Sequence, residues 1–178
     1  MAILQILQYP DLRLRRKGYR VGNVKAAKIQ KTIEDILETL RNVEHCAGLA
    51  ATQLDIKDPP NITVINTADN NEPLCLINLQ IISADSDVIN DEGCMSVYPH
   101  DIHAKVKRAG KVKVKALDRH GNEIEFEAKD RLAQCLQHEH DHLQGILYID
   151  RLEKSERLLL DKRIAELTAP AKKIQNIL

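Results

Sequence analysis

Residues 137–145 read Gln-His-Glu-His-Asp-His-Leu-Gln-Gly. Within them, His138 and His142 are four positions apart, so an α-helix places both imidazoles on one face, where they can meet one metal ion. Glu139 then lies beside that metal, where it can take a proton from a bound water. The apolar residues of 132–136 lead into the motif, which favours a helix packed on a core, with its histidines facing a cleft, over a solvated helix face.

Helical patterns also occur at the two ends of the chain. Apolar residues recur at helical spacing from residue 25 to about residue 42, and a charged helix is predicted from about residue 154 to residue 167. For the histidine-bearing helix, Asp130 is predicted as the N-cap and Gly145 as a left-handed C-cap. The sequence therefore predicts three helices, and the His motif lies on the second of them.

Extended segments separate these helices. Four groups of residues favour strands: 62–65; 74–78 with 80–83, as two strands or one strand with a break; 111–117; and 124–128. The last two flank a turn at residues 118–122, which predicts a hairpin. Neither a repeat nor a linker interrupts the chain, and 178 residues suit one domain over residues 1–178.

Composition narrows the class of protein. The 26 basic and 26 acidic residues balance, so no overall field favours DNA or an anionic membrane. No apolar run approaches the roughly 18 residues of a membrane span, and the N-terminus lacks the pattern of a signal peptide. The four cysteines are scattered, which favours reduced thiols over a disulfide framework. These features predict a soluble, cytoplasmic protein.

Two histidines leave a catalytic metal site short of a ligand, because such zinc sites combine three protein ligands with an open position for water. One candidate is Glu166 on the last helix, which would make the protein a zinc peptidase. The other is the thiolate of Cys94, within Asp-Glu-Gly-Cys-Met-Ser at residues 91–96. The residues alone leave both candidates open.

A third segment, residues 46–53, reads Cys-Ala-Gly-Leu-Ala-Ala-Thr-Gln. In chain order this segment, residues 92–96 and residues 137–145 resemble the three motifs of bacterial peptide deformylase, and the similarity extends over nearly all of the chain. The resemblance implies an α+β fold with antiparallel strands around a central metal-binding helix. It also implies a metal-dependent hydrolase that removes the N-formyl group from the N-terminal formyl-methionine of nascent polypeptides.

Matched position by position, the resemblance implies roles for individual residues. The implied metal ligands are Cys94, His138 and His142. Glu139 would be the general acid and base, and the Gln53 side chain and the Met95 backbone N–H would stabilise the oxyanion. Substrate contacts are implied for the backbone of Ala47, Gly48 and Gly93 and for a methionine pocket lined by Asn90, Arg131, Gln134 and Cys135.

The resemblance also implies a cofactor and partners. The cofactor is one divalent metal ion per chain, Fe(II) in the cell, with Zn, Ni or Co as alternatives in purified protein, and ligand spacing does not distinguish them. The partners are N-formyl-methionyl nascent peptides and, through the C-terminal helix, the ribosome near its exit tunnel. The charges of that helix are equally compatible with a solvated face. A deformylase-like protein that has lost catalysis and serves as a ribosome-binding factor is a further alternative.

Some positions depart from the family pattern. Cys46 stands where the family usually has glycine, so it is strained if this position needs φ > 0 and otherwise narrows the rim of the cleft. Residues 100–103, His-Asp-Ile-His, occupy a stretch where some relatives carry an arginine that contacts substrate. Glu92 and Arg108 match the family, and we expect them to form a structural ion pair behind the cleft.

Overall fold

The structure, a computed structural model, describes residues 2–66, 72–97 and 102–168. In these ranges three α-helices accompany one five-stranded sheet. The helices are α1 (Ala27–Arg41), α2 (Asp130–Leu143) and α3 (Lys154–Thr168). The strands are β1 (Gly48–Ala50), β2 (Ile62–Ile65), β3 (Leu74–Glu92), β4 (Ala104–Leu117) and β5 (Glu123–Lys129). The α+β class expected from the sequence is confirmed.

The strands lie in the order β1-β2-β3-β4-β5, and every neighbouring pair is antiparallel. The hairpin predicted around residues 118–122 is present as β4 and β5, with the Asp118 carboxylate accepting hydrogen bonds from two turn N–H groups. Of the two options for residues 74–83, one strand with a break is correct. Its irregularity lies at Asn78, where φ is 56° and the register with β4 shifts.

β3 continues well beyond the prediction, to Glu92. Only its first residues pair with β2, whereas the remainder pairs with β4 alone. From Ser83 to Ile89 the side chains of both faces are exposed, so this half of the strand lacks the apolar–polar alternation that reveals a strand in sequence.

The sheet lies between α1 and α2. Ile62 and Val64 of β2 pack into the core with α1, and Ile65 of the same strand packs into the core with α2. α2 contacts all five strands of the sheet. The helix that carries His138 therefore occupies a central position.

Of the two predicted caps of α2, the C-cap is confirmed and the N-cap is not. Gly145 has φ 74°, and the Ile146 N–H donates to the Asp141 carbonyl, as a left-handed C-cap requires. The prediction that Asp130 caps the helix is wrong. β5 runs to Lys129, and the chain turns directly into the helix at Asp130 with φ 52°, a conformation that Asp tolerates better than most residues.

Two general expectations can be compared with the same residues, and a third cannot. All four cysteines are free thiols. Within the described residues, no helix is both long and apolar enough to cross a bilayer. The assignment of residues 1–178 to a single domain stays a prediction.

Candidate active site

Three potential metal ligands converge where β3 ends beside α2. The Cys94 Sγ lies 3.2 Å from the His142 Nε2, and that nitrogen lies 3.2 Å from the His138 Nε2. One ligand atom from each of the three residues falls within 4.8 Å of the others. In a tetrahedral site, bond lengths of about 2.0–2.3 Å separate donor atoms by roughly 3.3–3.6 Å. A thiolate and two imidazoles at these distances fit one transition-metal ion.

The predicted ion pair of Glu92 and Arg108 is present and buried. The Arg108 Nε and Nη2 lie 2.8 and 2.9 Å from the two Glu92 carboxylate oxygens. The Glu92 Oε2 also lies 3.1 Å from the His138 Nδ1. Burial acts to raise the pKa of Glu92, but the hydrogen bonds from Arg108 and His138 outweigh it and lower the pKa to about 2. Glu92 therefore stays an anion that orients the His138 ring with Nε2 toward the other two ligands.

The continuation of this network was not predicted from the sequence. The Arg108 Nη1 donates to the Asp141 Oδ2 at 2.5 Å, and the Arg151 Nε donates to the same oxygen at 3.0 Å. Charges thus alternate in sign from half-exposed Arg151 to the buried Glu92 carboxylate beside His138. Asp141, which lies between the two histidines of the motif, was the sequence signal for this network, because a buried carboxylate needs a cation.

Polar groups also surround the Cys94 sulfur. The Ser96 N–H donates to the Sγ at 3.4 Å, and the Gln53 Nε2 donates to it at 3.6 Å. The Gln53 Oε1 accepts from the Ala50 N–H at 2.8 Å, which turns the amide nitrogen toward the metal ligands. Among the described residues, the Met95 N–H has no hydrogen-bond acceptor, and Met95 lines the adjoining cleft.

Glu139 is 2% exposed and lies beside the ligand cluster. Burial raises its pKa to about 7, against the opposing effects of His138 and of a hydrogen bond from Thr63. The Thr63 Oγ1 lies 3.4 Å from the Glu139 Oε2. On the other side, a Cβ at Gly48 would lie 2.8 Å from the Oε1, so glycine permits this approach.

A cleft of about 1110 Å³ opens beside these residues. Its lining includes all seven predicted substrate contacts: Ala47, Gly48, Asn90, Gly93, Arg131, Gln134 and Cys135. A smaller hollow of about 480 Å³ lies against Gln144 and His140, and it contains none of the three potential metal ligands. The larger cleft is therefore the one that can carry the chemistry.

The structure also decides between the alternatives left open for other positions. The residue with positive φ is His45, which directly precedes the first motif, so the strain considered for Cys46 is absent. Its sulfur lines the cleft and donates to the Gly48 carbonyl at 3.1 Å.

Glu166, the alternative third ligand, is exposed on α3 and is not a member of the ligand cluster. His103 lies at the cleft beside Asp91, whereas His100 and Asp101 lie outside the described residues.

Comparisons with known proteins agree with this geometry. The polypeptide deformylase family model matches residues 3–158. The chain is 46% identical to peptide deformylase 1 of Coxiella burnetii, with 96% of this chain and 99% of the relative covered. It is 43% identical to peptide deformylase 1 of Shewanella oneidensis, with 92% and 95% covered.

Solved structures give the same result. A peptide deformylase from Legionella pneumophila superposes with a TM-score of 0.83 at 35% identity, with 93% of this chain and 95% of that chain covered. Peptide deformylase from Ehrlichia chaffeensis in complex with actinonin gives a TM-score of 0.83 at 31% identity, with 96% and 100% covered. The chain belongs to the peptide deformylase family, whose members are metalloenzymes.

Proposed function

We propose that this deformylase hydrolyses the formamide of N-formyl-methionyl nascent polypeptides at the cleft beside Cys94, His138 and His142. The observation that supports this most strongly is the convergence of one thiol and two imidazoles within 4.8 Å, next to a buried carboxyl. A formamide is cleaved when water attacks its carbonyl carbon, and a metal, a base and oxyanion donors can together accelerate this reaction.

Cys94, His138 and His142 would hold one divalent ion. When bound, such an ion lowers the pKa of a coordinated water from 15.7 to about 7, as in well-studied zinc sites. The soft thiolate makes the site suitable for transition metals. We propose Fe(II) in the cell, with Zn, Ni or Co able to occupy the same ligands in purified protein.

Glu139 would move the proton in this reaction. Its pKa of about 7 suits a group that must accept a proton from water and then deliver it to the leaving amine near neutral pH. His138 stays in place during both steps because Glu92 fixes the far side of its ring. Removal of a general acid–base group typically costs ~10²–10⁴ in rate.

Gln53 and the Met95 N–H would stabilise the charge that builds on the formyl oxygen. The Gln53 Oε1 is already engaged by Ala50, so its amide nitrogen is held toward the reaction centre before substrate arrives. Such preorganised donors avoid reorganisation during the reaction, and the loss of one typically costs ~10²–10³ in kcat.

The cleft would bind the peptide in an extended form. Ala47, Gly48 and Gly93 would offer backbone groups to the peptide, and Asn90, Arg131, Gln134 and Cys135 would line the methionine pocket. Their presence around one cleft supports this proposal. Because the formyl carbon carries only hydrogen, a cleft that narrows near the metal ligands would accept a formyl group and refuse an acetyl group.

The proposed setting is the cytoplasm, where nascent chains leave the ribosome. Docking on the ribosome through α3 is a further part of this proposal. It is supported by the exposed Leu158 and Leu159, which lie on α3 near the basic residues Lys162 and Arg163.

A deformylation assay tests the proposed function. Freshly iron-loaded protein and its Glu139→Gln variant are incubated with N-formyl-Met-Ala-Ser, and released formate is measured. We expect turnover by the wild type and loss of at least about 10²-fold in the variant. Metal-loaded wild type without turnover would favour the alternative of a deformylase-like protein that has lost catalysis.

A further inference from the structure

We propose that Thr63 is a positioning residue for Glu139, and that its hydroxyl and the Gly48 backbone together hold the Glu139 carboxyl in its working orientation. This inference rests on the proposed function, because it takes Glu139 as the group that moves the proton.

The position of Thr63 in the sheet brings its side chain to α2. In β2, Ile62 and Val64 pack with α1, so the alternating residues Thr63 and Ile65 face α2. Thr63 is fully buried. A hydroxyl in an otherwise apolar, buried strand needs hydrogen-bond partners.

The Thr63 hydroxyl has two such partners. Its Oγ1 lies 3.1 Å from the Leu49 carbonyl oxygen and 3.4 Å from the Glu139 Oε2. A hydroxyl has one hydrogen and two lone pairs. The hydroxyl can turn its hydrogen toward either oxygen, because it rotates about the Cβ–Oγ1 bond. Thr63 can therefore hold Glu139 by donating to its Oε2.

The β1 backbone limits the position of the other carboxyl oxygen by steric contact. A Cβ at residue 48 would lie 2.8 Å from the Glu139 Oε1 and 3.0 Å from its Cδ, so this end of the side chain rests closely against the β1 backbone. The Oε2 faces Thr63 of β2. A hydrogen bond from β2 on one oxygen and the close β1 backbone beside the other together restrict the orientation of the carboxyl group.

This role differs from simple satisfaction of a buried hydroxyl. The Leu49 carbonyl could satisfy the Thr63 donor without Glu139, and a valine at this position would have the same branched shape and favour the strand equally. The contact with Glu139 is the part of the arrangement that concerns the reaction. Its loss should alter kcat more than substrate binding.

The test compares Thr63→Val, which removes the hydroxyl and keeps the shape, with Thr63→Ser, which keeps the hydroxyl. Thr39→Val is the matched control, because Thr39 is also fully buried and does not line the cleft. Within the described residues its hydroxyl bonds only to the Leu4 N–H and the Asp35 carbonyl. All variants are loaded with the same metal, and metal content, kcat and KM for N-formyl-Met-Ala-Ser are measured.

We expect Thr63→Val to lower kcat by about 3- to 10-fold, the effect of one hydrogen bond of ordinary net strength, with KM changed less than about twofold. Metal content should stay at that of the wild type. Thr63→Ser should recover most of the lost kcat, and Thr39→Val should retain the wild-type kcat. In a Glu139→Gln background, Thr63→Val should cause no further loss.

Several results would overturn the inference. They are a wild-type kcat in Thr63→Val, a Thr63→Ser variant as slow as Thr63→Val, a loss that follows metal content, or an undiminished effect in the Glu139→Gln background. If Thr63→Val does not fold, Thr63→Ala is compared with Thr63→Ser in its place. An active wild type with an unaffected Thr63→Val refutes this inference alone, whereas an inactive wild type refutes the proposed function as well.

Discussion

Replacement of Glu139 by Gln is expected to remove activity and, above pH 7, to stabilise the metal-free protein. Burial raises the pKa of this carboxyl from 4.5 to about 7. An acid whose pKa is higher in the folded state binds its proton more tightly there, so ionisation of the unfolded chain destabilises the fold. This cost begins near pH 4.5 and is complete above about pH 7. Each pH unit between the two pKa values corresponds to 1.36 kcal/mol, which gives on the order of 3 kcal/mol.

The assay is urea-induced unfolding in the presence of a chelator, at pH 5 and at pH 8, for the wild type and for Glu139→Gln. We expect the variant to gain about 2–3 kcal/mol in free energy of unfolding, relative to the wild type, between pH 5 and pH 8. Glu166→Gln is the control, because it makes the same chemical change at an exposed residue of α3. A difference between Glu139→Gln and the wild type that is the same at both pH values would refute the reasoning.

Three further predictions address other parts of the structure. Cys94→Ser should lower the bound metal well below one ion per chain, whereas Glu166→Gln should retain one, as measured by elemental analysis after gel filtration; the reverse result would support the peptidase site. Gly145→Ala should lower the free energy of unfolding by about 2 kcal/mol or more, because φ there is 74° and the new Cβ would collide with the Arg15 backbone; an unchanged urea midpoint would contradict this. Arg108→Leu should cost about 3–5 kcal/mol, because it leaves two buried carboxylates without their shared cation; a loss below about 1 kcal/mol would show that these carboxylates find other partners.

The local parts of the fold could be predicted from sequence because their signals are local. α2 follows from helical periodicity, the spacing of His138 and His142, and Gly145 at the end of the helix. The β4–β5 hairpin follows from strict alternation around a polar turn. In both cases the sequence pattern that predicts the element lies within the element itself.

The outer half of β3 could not be predicted in this way. It is exposed on both faces and pairs with β4 alone. Because neither face is buried, its sequence has no apolar residue at every second position that would indicate a strand. The left-handed turn at Asp130 was also missed, because Asp at that position is equally typical of a helix cap.

The active site, too, could be predicted only where its signals are local in sequence. The ligand helix was evident from spacing, but the choice between Cys94 and Glu166 needed the resemblance to a family, because the meeting of β3 with α2 is set by long-range packing. The contact of Thr63 with Glu139 and the contact of Asp141 with Arg108 depend on strand register and helix position. A single polar residue in an apolar strand was the only local sign of the first contact.

X-ray absorption spectroscopy of the metal-loaded protein tests the central claim most directly, because it reports the atoms bound to the ion. A site formed by Cys94, His138 and His142 predicts one sulfur at about 2.3 Å and two nitrogens at about 2.0–2.1 Å for zinc. The sulfur should disappear from the spectrum of any metal retained by Cys94→Ser. A first shell of nitrogen and oxygen alone in the wild type would contradict the account.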